Sequence, residues 1–177
     1  MSTKQMLLSG FGGQGILFAG KFLAYKGLTD GKQVSWLPSY GPEMRGGTAS
    51  CSVIISDEEV GSPIISEPDV LIAMNLPSFE KFVPTVRPGG IVIADSSLIE
   101  TKTDRTDIDV YYIPATALAS DMGKQSLANM IILGKLLQVM GDFNEDEIKT
   151  VLSKVIPPKK ADMLEINMKA MSIGADN

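Results

Sequence analysis

Apolar positions along the chain alternate between short continuous runs and longer stretches at helical spacing. Gln5-Met6-Leu7-Leu8-Ser9 is a short apolar run ended by glycines, and Ile16, Leu17, Ala19, Gly20, Leu23 and Ala24 follow at helical spacing. This predicts a strand, a tight turn and a helix. The helix is expected to stop around Gly27 or Gly31, after which Gln33-Val34-Ser35-Trp36-Leu37 supplies a second strand before Pro38. Together these open a βαβ unit. From Thr48 to Ile55, residues Ala49, Cys51, Val53 and Ile55 share one face, with mostly hydroxyls on the other. That alternation predicts a half-exposed, antiparallel edge strand, which Asp57-Glu58-Glu59 turns toward a short strand at Val60.

Asp69 to Met74 and Ile91 to Asp95 are continuously apolar runs bounded by turn residues, as expected of strands covered on both faces. Pro77 to Val83 between them predicts a short helix, and Val110 to Ile113 another strand. Ser126 to Met140 is apolar nearly all round, so it reads as a buried helix with Gly141 as its stop. Asn144, with Glu147 three residues on, forms a capping-box pattern that starts a helix through Val155; Pro157-Pro158 separates it from a final helix beginning near Lys160. Strands alternating with helices predict a three-layer α/β/α fold with a mostly parallel, mixed sheet. No repeat or linker divides residues 1–177, so a single domain is expected.

Composition narrows the chemistry. Sixteen basic and 21 acidic side chains give a net charge of -5, so no basic excess is available for nucleic acid. His is absent and Cys51 is the single cysteine. The chain alone therefore cannot build a Cys/His zinc site, a cysteine-ligated iron–sulfur cluster or an internal disulfide. With no His to activate it, Cys51 reads as a small core residue rather than a nucleophile. No apolar run approaches the ~18 residues of a spanning helix, and the first residues hold no secretory apolar region. A soluble, cytoplasmic protein without membrane contact is expected.

Two segments carry candidate chemistry. Gly10-Phe11-Gly12-Gly13-Gln14-Gly15 fits GxGxxG between a predicted strand and a predicted helix. Glycines there permit a tight turn and close backbone approach, and free N–H groups at a helix start suit a phosphate. A dinucleotide site would also want an acid at the end of the second strand to hold a ribose, but Leu37-Pro38-Ser39-Tyr40 stands there and no carboxylate appears until Glu43. A phosphate or nucleotide site and a purely structural turn both remain open. The second segment, Ser39-Tyr40-Gly41-Pro42-Glu43-Met44-Arg45-Gly46-Gly47-Thr48, is expected at the carboxyl end of the second strand, where crevices of α/β sheets lie. Glu43 and Arg45, flanked by glycines, suit a carboxylate or phosphate clamp, whereas an internal ion pair or an exposed turn is the plainer reading. Asp95-Ser96-Ser97 at a strand end is expected to cap a helix.

These residues carry a resemblance. Gly12-Gly13-Gln14-Gly15, then Ser39 to Gly47, and later Ala128-Asn129-Met130 with Leu133-Gly134, make the chain resemble, over nearly its whole length, the gamma subunit of 2-oxoacid:ferredoxin oxidoreductases. The resemblance implies a multisubunit enzyme that decarboxylates a 2-oxoacid on thiamine diphosphate, transfers the acyl group to coenzyme A and passes electrons through iron–sulfur clusters to ferredoxin. It further implies alpha, beta and delta partner subunits, with thiamine and clusters held mainly outside this chain, so the isolated chain is expected to be inactive and to supply no catalytic or metal-binding residue. The middle segment is most similar to the 2-oxoglutarate branch, although the pyruvate and branched-chain branches share its frame. Gly10, Gly12, Gly13, Gln14 and Gly15 are the cofactor-binding candidates; Ser39, Tyr40, Glu43, Arg45, Gly46 and Gly47 are the ligand- or subunit-contact candidates. A non-catalytic nucleotide-binding or scaffold module is the competing reading.

Overall fold

The computed structural model describes residues 2–39 and 48–177. Six strands, β1 (Thr3–Phe11), β2 (Gln33–Ser39), β3 (Thr48–Ser56), β4 (Val70–Ala73), β5 (Ile91–Asp95) and β6 (Asp109–Ile113), form one sheet in the order β2-β3-β1-β4-β5-β6. β4, β5 and β6 continue β1 in parallel, whereas β3 runs antiparallel to both β1 and β2. The helices are α1 (Ile16–Thr29), α2 (Leu76–Phe82), α3 (Ala115–Asp121), α4 (Ala128–Val139), α5 (Glu145–Val155) and α6 (Leu164–Asp176).

Strand alternation divides the interior into two unequal layers. Met6, Leu8, Ile72 and Ile93 point to one face and pack with Phe22 of α1, Met130 and Leu133 of α4, Val151 of α5 and Met171 of α6. Leu7, Leu71 and Val92 point to the other, where Phe79 of α2 and the loop residues Val86 and Ile99 cover them. β4 is buried on both faces, as its continuous apolar run requires. The three-layer α/β architecture with a mixed sheet therefore stands, with one thick helical layer and one thin.

β3 is antiparallel, as its alternation suggests, but it is an interior strand; the edge is β2. Pro38 is tolerated there because an edge strand leaves one row of backbone donors unpaired. No strand forms at Val60. Ser56 Oγ instead accepts the Glu58 N–H at 3.1 Å, and the chain turns away from the sheet.

One half of the capping box at α5 forms: Asn144 Oδ1 accepts the Glu147 N–H at 3.1 Å, while the Glu147 carboxylate turns to Lys26 at 3.4 Å instead of back to the Asn144 N–H. Gly141, at φ 72°, ends the turn after α4 in the left-handed region that glycine favours. The final helix is preceded by a 3₁₀ segment over Pro158–Met163 and begins at Leu164. No helix among the described residues is long and apolar enough to cross a membrane.

Candidate functional site

The chain leaves β1 through α1 toward β2 on one side of the sheet and resumes on the other side at β4. Strand order thus reverses at β1, and crevices in such sheets open at the carboxyl ends of the strands flanking the reversal. The glycine turn stands there. Gly13 has φ 90° and Gly15 φ 76°, so both occupy conformations that L side chains rarely adopt. Gly15 is the residue before α1 and offers no side-chain cap, leaving the first N–H groups of that helix without one.

Two amide side chains hold the turn in place. Gln14 Oε1 accepts the Phe11 N–H at 2.6 Å, and Gln14 Nε2 donates to the Met74 carbonyl at 3.0 Å, tying the turn to the end of β4. Gly10 leaves room for this link, because a Cβ there would press on Gln14 Oε1, Ile16 and Met74. Asn129, buried in the first turn of α4, donates from Nδ2 to the Gly15 carbonyl at 3.1 Å, across 114 residues of sequence. A Cβ on Gly15 would overlap that same amide.

A third link sets the far wall. Asp95, fully buried at the end of β5, accepts Thr116 Oγ1–H at 2.5 Å and the Thr116 N–H at 3.3 Å; Ser97 Oγ accepts the Ala117 N–H at 3.0 Å. Asp95 and Ser97 therefore cap a helix, but it is α3, which lies about 20 residues on and which the apolar pattern did not reveal. Together these walls enclose a crevice of about 370 Å³ lined by Gly12, Gly13, Gln14, Met74, Leu98, Thr116, Gln125, Ser126 and Ala128. Its described lining offers amides, hydroxyls and backbone N–H groups beside the apolar Met74 and Leu98.

Of the candidate residues, Gly12, Gly13 and Gln14 line the crevice, whereas Gly10 and Gly15 shape it from behind. Ser39 is the last residue of β2, paired with Ser50 of β3, and it is not among the lining residues. Thr48, which begins β3, pairs with Phe11. The second motif thus departs from and returns to the sheet end that carries the glycine turn. Tyr40, Glu43, Arg45, Gly46 and Gly47 lie outside the described residues. Met74, Leu98, Thr116, Gln125 and Ser126 join the site without having been singled out from sequence.

Two other reactive-looking groups are structural. Cys51 is fully buried and receives the Trp36 indole N–H, and burial pushes its thiol pKa up to about 11. At the amino end of the sheet a second cavity of about 200 Å³ contains Lys26, whose buried ammonium meets Asp30 at 3.0 Å, Asp142 at 3.1 Å and Glu147 at 3.4 Å. Among the described residues, no group of three or more His, Cys, Asp or Glu side chains is placed to hold a metal.

The chain is 38% identical over 170 residues to ketoisovalerate oxidoreductase subunit VorA of Methanothermobacter marburgensis, with 96% of this chain aligned to 35% of that protein. It is 37% identical over 175 residues to 2-oxoglutarate synthase subunit KorC of Methanocaldococcus jannaschii, covering 97% of this chain and 91% of that one. It therefore spans about a third of the ketoisovalerate protein but nearly the whole 2-oxoglutarate subunit. In structure it is similar to the gamma subunit of a keto/oxoacid ferredoxin oxidoreductase from Geobacter sulfurreducens, with TM-score 0.81, 28% identity, and 98% and 96% of the two chains covered. It also resembles part of the 2-oxoglutarate:ferredoxin oxidoreductase of Magnetococcus marinus, solved with 2-oxoglutarate, coenzyme A and succinyl-CoA bound, with TM-score 0.86, 27% identity, and 99% of this chain against 31% of that one. The family model for pyruvate ferredoxin/flavodoxin oxidoreductase matches residues 5–177, a span that includes the glycine turn and Asn129: the chain belongs to the pyruvate ferredoxin/flavodoxin oxidoreductase family.

Proposed function

We propose that this chain is the gamma component of a multisubunit 2-oxoacid:ferredoxin oxidoreductase, and that the complex oxidatively decarboxylates 2-oxoglutarate to an acyl-coenzyme A with electrons passing to ferredoxin. The observation that carries the reading is the near full-length match to a 2-oxoglutarate synthase subunit of about the same size. A single cysteine and no histidine also suit a component whose redox centres and thiamine diphosphate are supplied by alpha, beta and delta partners. The similarity to the ketoisovalerate subunit favours a branched-chain 2-oxoacid as the second reading.

Within the complex, the crevice at Gly12, Gly13 and Gln14 takes part of a phosphate-bearing ligand, for which coenzyme A is the candidate. Close backbone approach at two glycines and uncapped N–H groups at the start of α1 support this assignment. The second motif, with Ser39, Tyr40, Glu43, Arg45, Gly46 and Gly47, is proposed to contact ligand or a neighbouring subunit.

The test is purification of the native complex through this chain, followed by assay with 2-oxoglutarate, pyruvate and 2-oxoisovalerate. The complex is expected to bring thiamine-binding and cluster-bearing subunits and to prefer 2-oxoglutarate, while the isolated chain is colourless and inactive. Ferredoxin reduction by the isolated chain would overturn the division of labour. Preference for 2-oxoisovalerate would select the second reading.

A further inference from the structure

Leu98 is unusual among the residues around the crevice. Of the six large apolar side chains exposed among the described residues, it alone lines the crevice; it is 43% exposed and packs into neither apolar layer. A leucine exposed on an open surface needs no explanation, but this one is held in place. In the turn after β5 the Asp95 carbonyl accepts the Leu98 N–H at 3.2 Å and the Ile99 N–H at 3.0 Å, and the Ile113 carbonyl accepts the Ser96 N–H at 2.9 Å. Ile99, fully buried, pins the next residue into the thin layer. The chain thus spends a rigid turn on presenting an apolar side chain to a crevice.

The polar groups beside Leu98 are selective. The described lining side chains, Gln14, Met74, Leu98, Thr116, Gln125 and Ser126, carry no charge. Gln14 has both ends of its amide engaged, with the Phe11 N–H and the Met74 carbonyl. Thr116 spends its hydroxyl proton on the buried Asp95 carboxylate at 2.5 Å, to which the Ser97 and Thr116 N–H groups also donate, at 3.1 and 3.3 Å. A hydroxyl whose proton is committed can only accept from anything else. The wall facing the glycine turn therefore combines an apolar surface, Leu98 with Met74, and an acceptor. Among the parts of coenzyme A, the nucleotide base matches that wall. It is flat and uncharged, its faces pack on aliphatic and thioether groups, and its exocyclic amine is a donor. The phosphates offer no donor, and the pantetheine arm has amide donors but no broad apolar face.

We propose that Leu98 and Thr116 form the base subsite of this crevice: the adenine ring lies on Leu98 and Met74, and its 6-amino group donates to Thr116 Oγ1. This assignment rests on the crevice being a coenzyme A site. It makes Leu98 a specificity-determining residue, and it leaves the phosphates to the backbone N–H groups of the glycine turn.

The assembled complex carrying Leu98→Ser, Leu98→Met or Gly12→Ala tests it. Coenzyme A and 4′-phosphopantetheine serve as alternative thiol substrates, and adenosine 3′,5′-bisphosphate as an inhibitor competing with coenzyme A. Leu98→Ser is expected to raise the KM for coenzyme A and the inhibition constant of the bisphosphate together, by about fivefold, the loss of one leucine's apolar contact. The KM for 4′-phosphopantetheine, which has no base, is expected to stay where it is. Leu98→Met keeps an apolar surface and is expected to stay near the wild type. Inosine 3′,5′-bisphosphate, with an oxo group in place of the amine, is expected to inhibit several-fold less well than the adenosine form; equal inhibition would overturn the pairing with Thr116. If Leu98→Ser raises the KM for both thiols and leaves the inhibition constant unchanged, the arm rather than the base occupies the crevice and the subsite is wrong. If Gly12→Ala raises the KM for coenzyme A while Leu98→Ser changes nothing, the subsite is wrong and the crevice assignment stands. If neither variant changes KM, both fall. Loss of partner subunits from the purified Leu98→Ser complex would show a subunit contact and overturn the subsite.

Discussion

Gly15 concentrates three demands on one residue. Its φ of 76° disfavours any L side chain, its carbonyl accepts both the Asn129 amide and the Ala19 N–H, and the space where a Cβ would stand is already filled by Asn129. Gly15→Ala is therefore expected to destabilise the fold by roughly 2–3 kcal/mol, the sum of left-handed strain and a displaced buried amide. Adding Asn129→Ala should relieve the overlap but not the strain. A double-mutant cycle by urea unfolding checks this: a double variant less destabilised than the two single costs added together is the expected sign of coupling. Lys26 makes a different demand. Burial on its own would lower its pKa, but hydrogen bonds and charge from Asp30 and Asp142 outweigh that and raise it above the ordinary value of 10.5. A raised folded-state pKa means the cluster's stabilisation is fully present below the unfolded value and is lost as pH climbs through the folded one. Denaturant midpoints of wild type and Lys26→Met should thus differ below the ordinary lysine value of 10.5 and draw together as pH climbs through the raised folded-state value.

Among the elements, α4 and α6 meet most closely where both helices have glycine. A Cβ at Gly134 would overlap the Met171 carbonyl, and one at Gly174 would overlap the Ile131 carbonyl, so the pair of glycines sets the backbone separation. Gly134→Ala gains helix propensity worth up to about 1 kcal/mol, but overpacking against rigid backbone costs more, about 1–3 kcal/mol. A net fall in thermal midpoint is expected, and a rise would mean the helices separate freely. Leu133-Gly134 carries part of the family resemblance, and in the fold Gly134 is a contact between helices. Elements with one-sided or all-round burial were legible: β4 and β5 as continuous runs, α4 as an apolar helix, α5 through Asn144. α3 was not, because Ala115, Thr116, Ala117, Ala119 and Ser120 show no strong apolar period, and the helix draws its caps from Asp95 and Ser97 on another strand. Ser50 and Ser52 read as solvent-facing hydroxyls, and that pattern predicts an edge for β3. Those hydroxyls instead face the thinner side of the sheet, while β1 and β2 pair with the strand on both sides.

At the scale of the whole molecule, the glycine turn was legible as a turn but the crevice was not. Local spacing can specify φ at Gly13 and Gly15, yet Met74, Leu98, Thr116 and Ser126 reach the site only through sheet order and through the amide links of Gln14 and Asn129. That the site is assembled from residues 12 to 129 has a bearing on synthesis. Loop closure over such a span is paid before any of its contacts repay it. While the ribosome is still extending the chain short of α4, the turn after β1 has neither its Asn129 clasp nor the wall supplied by Gln125 and Ser126. A nascent chain consequently lacks the crevice, which is complete only when the last wall has docked.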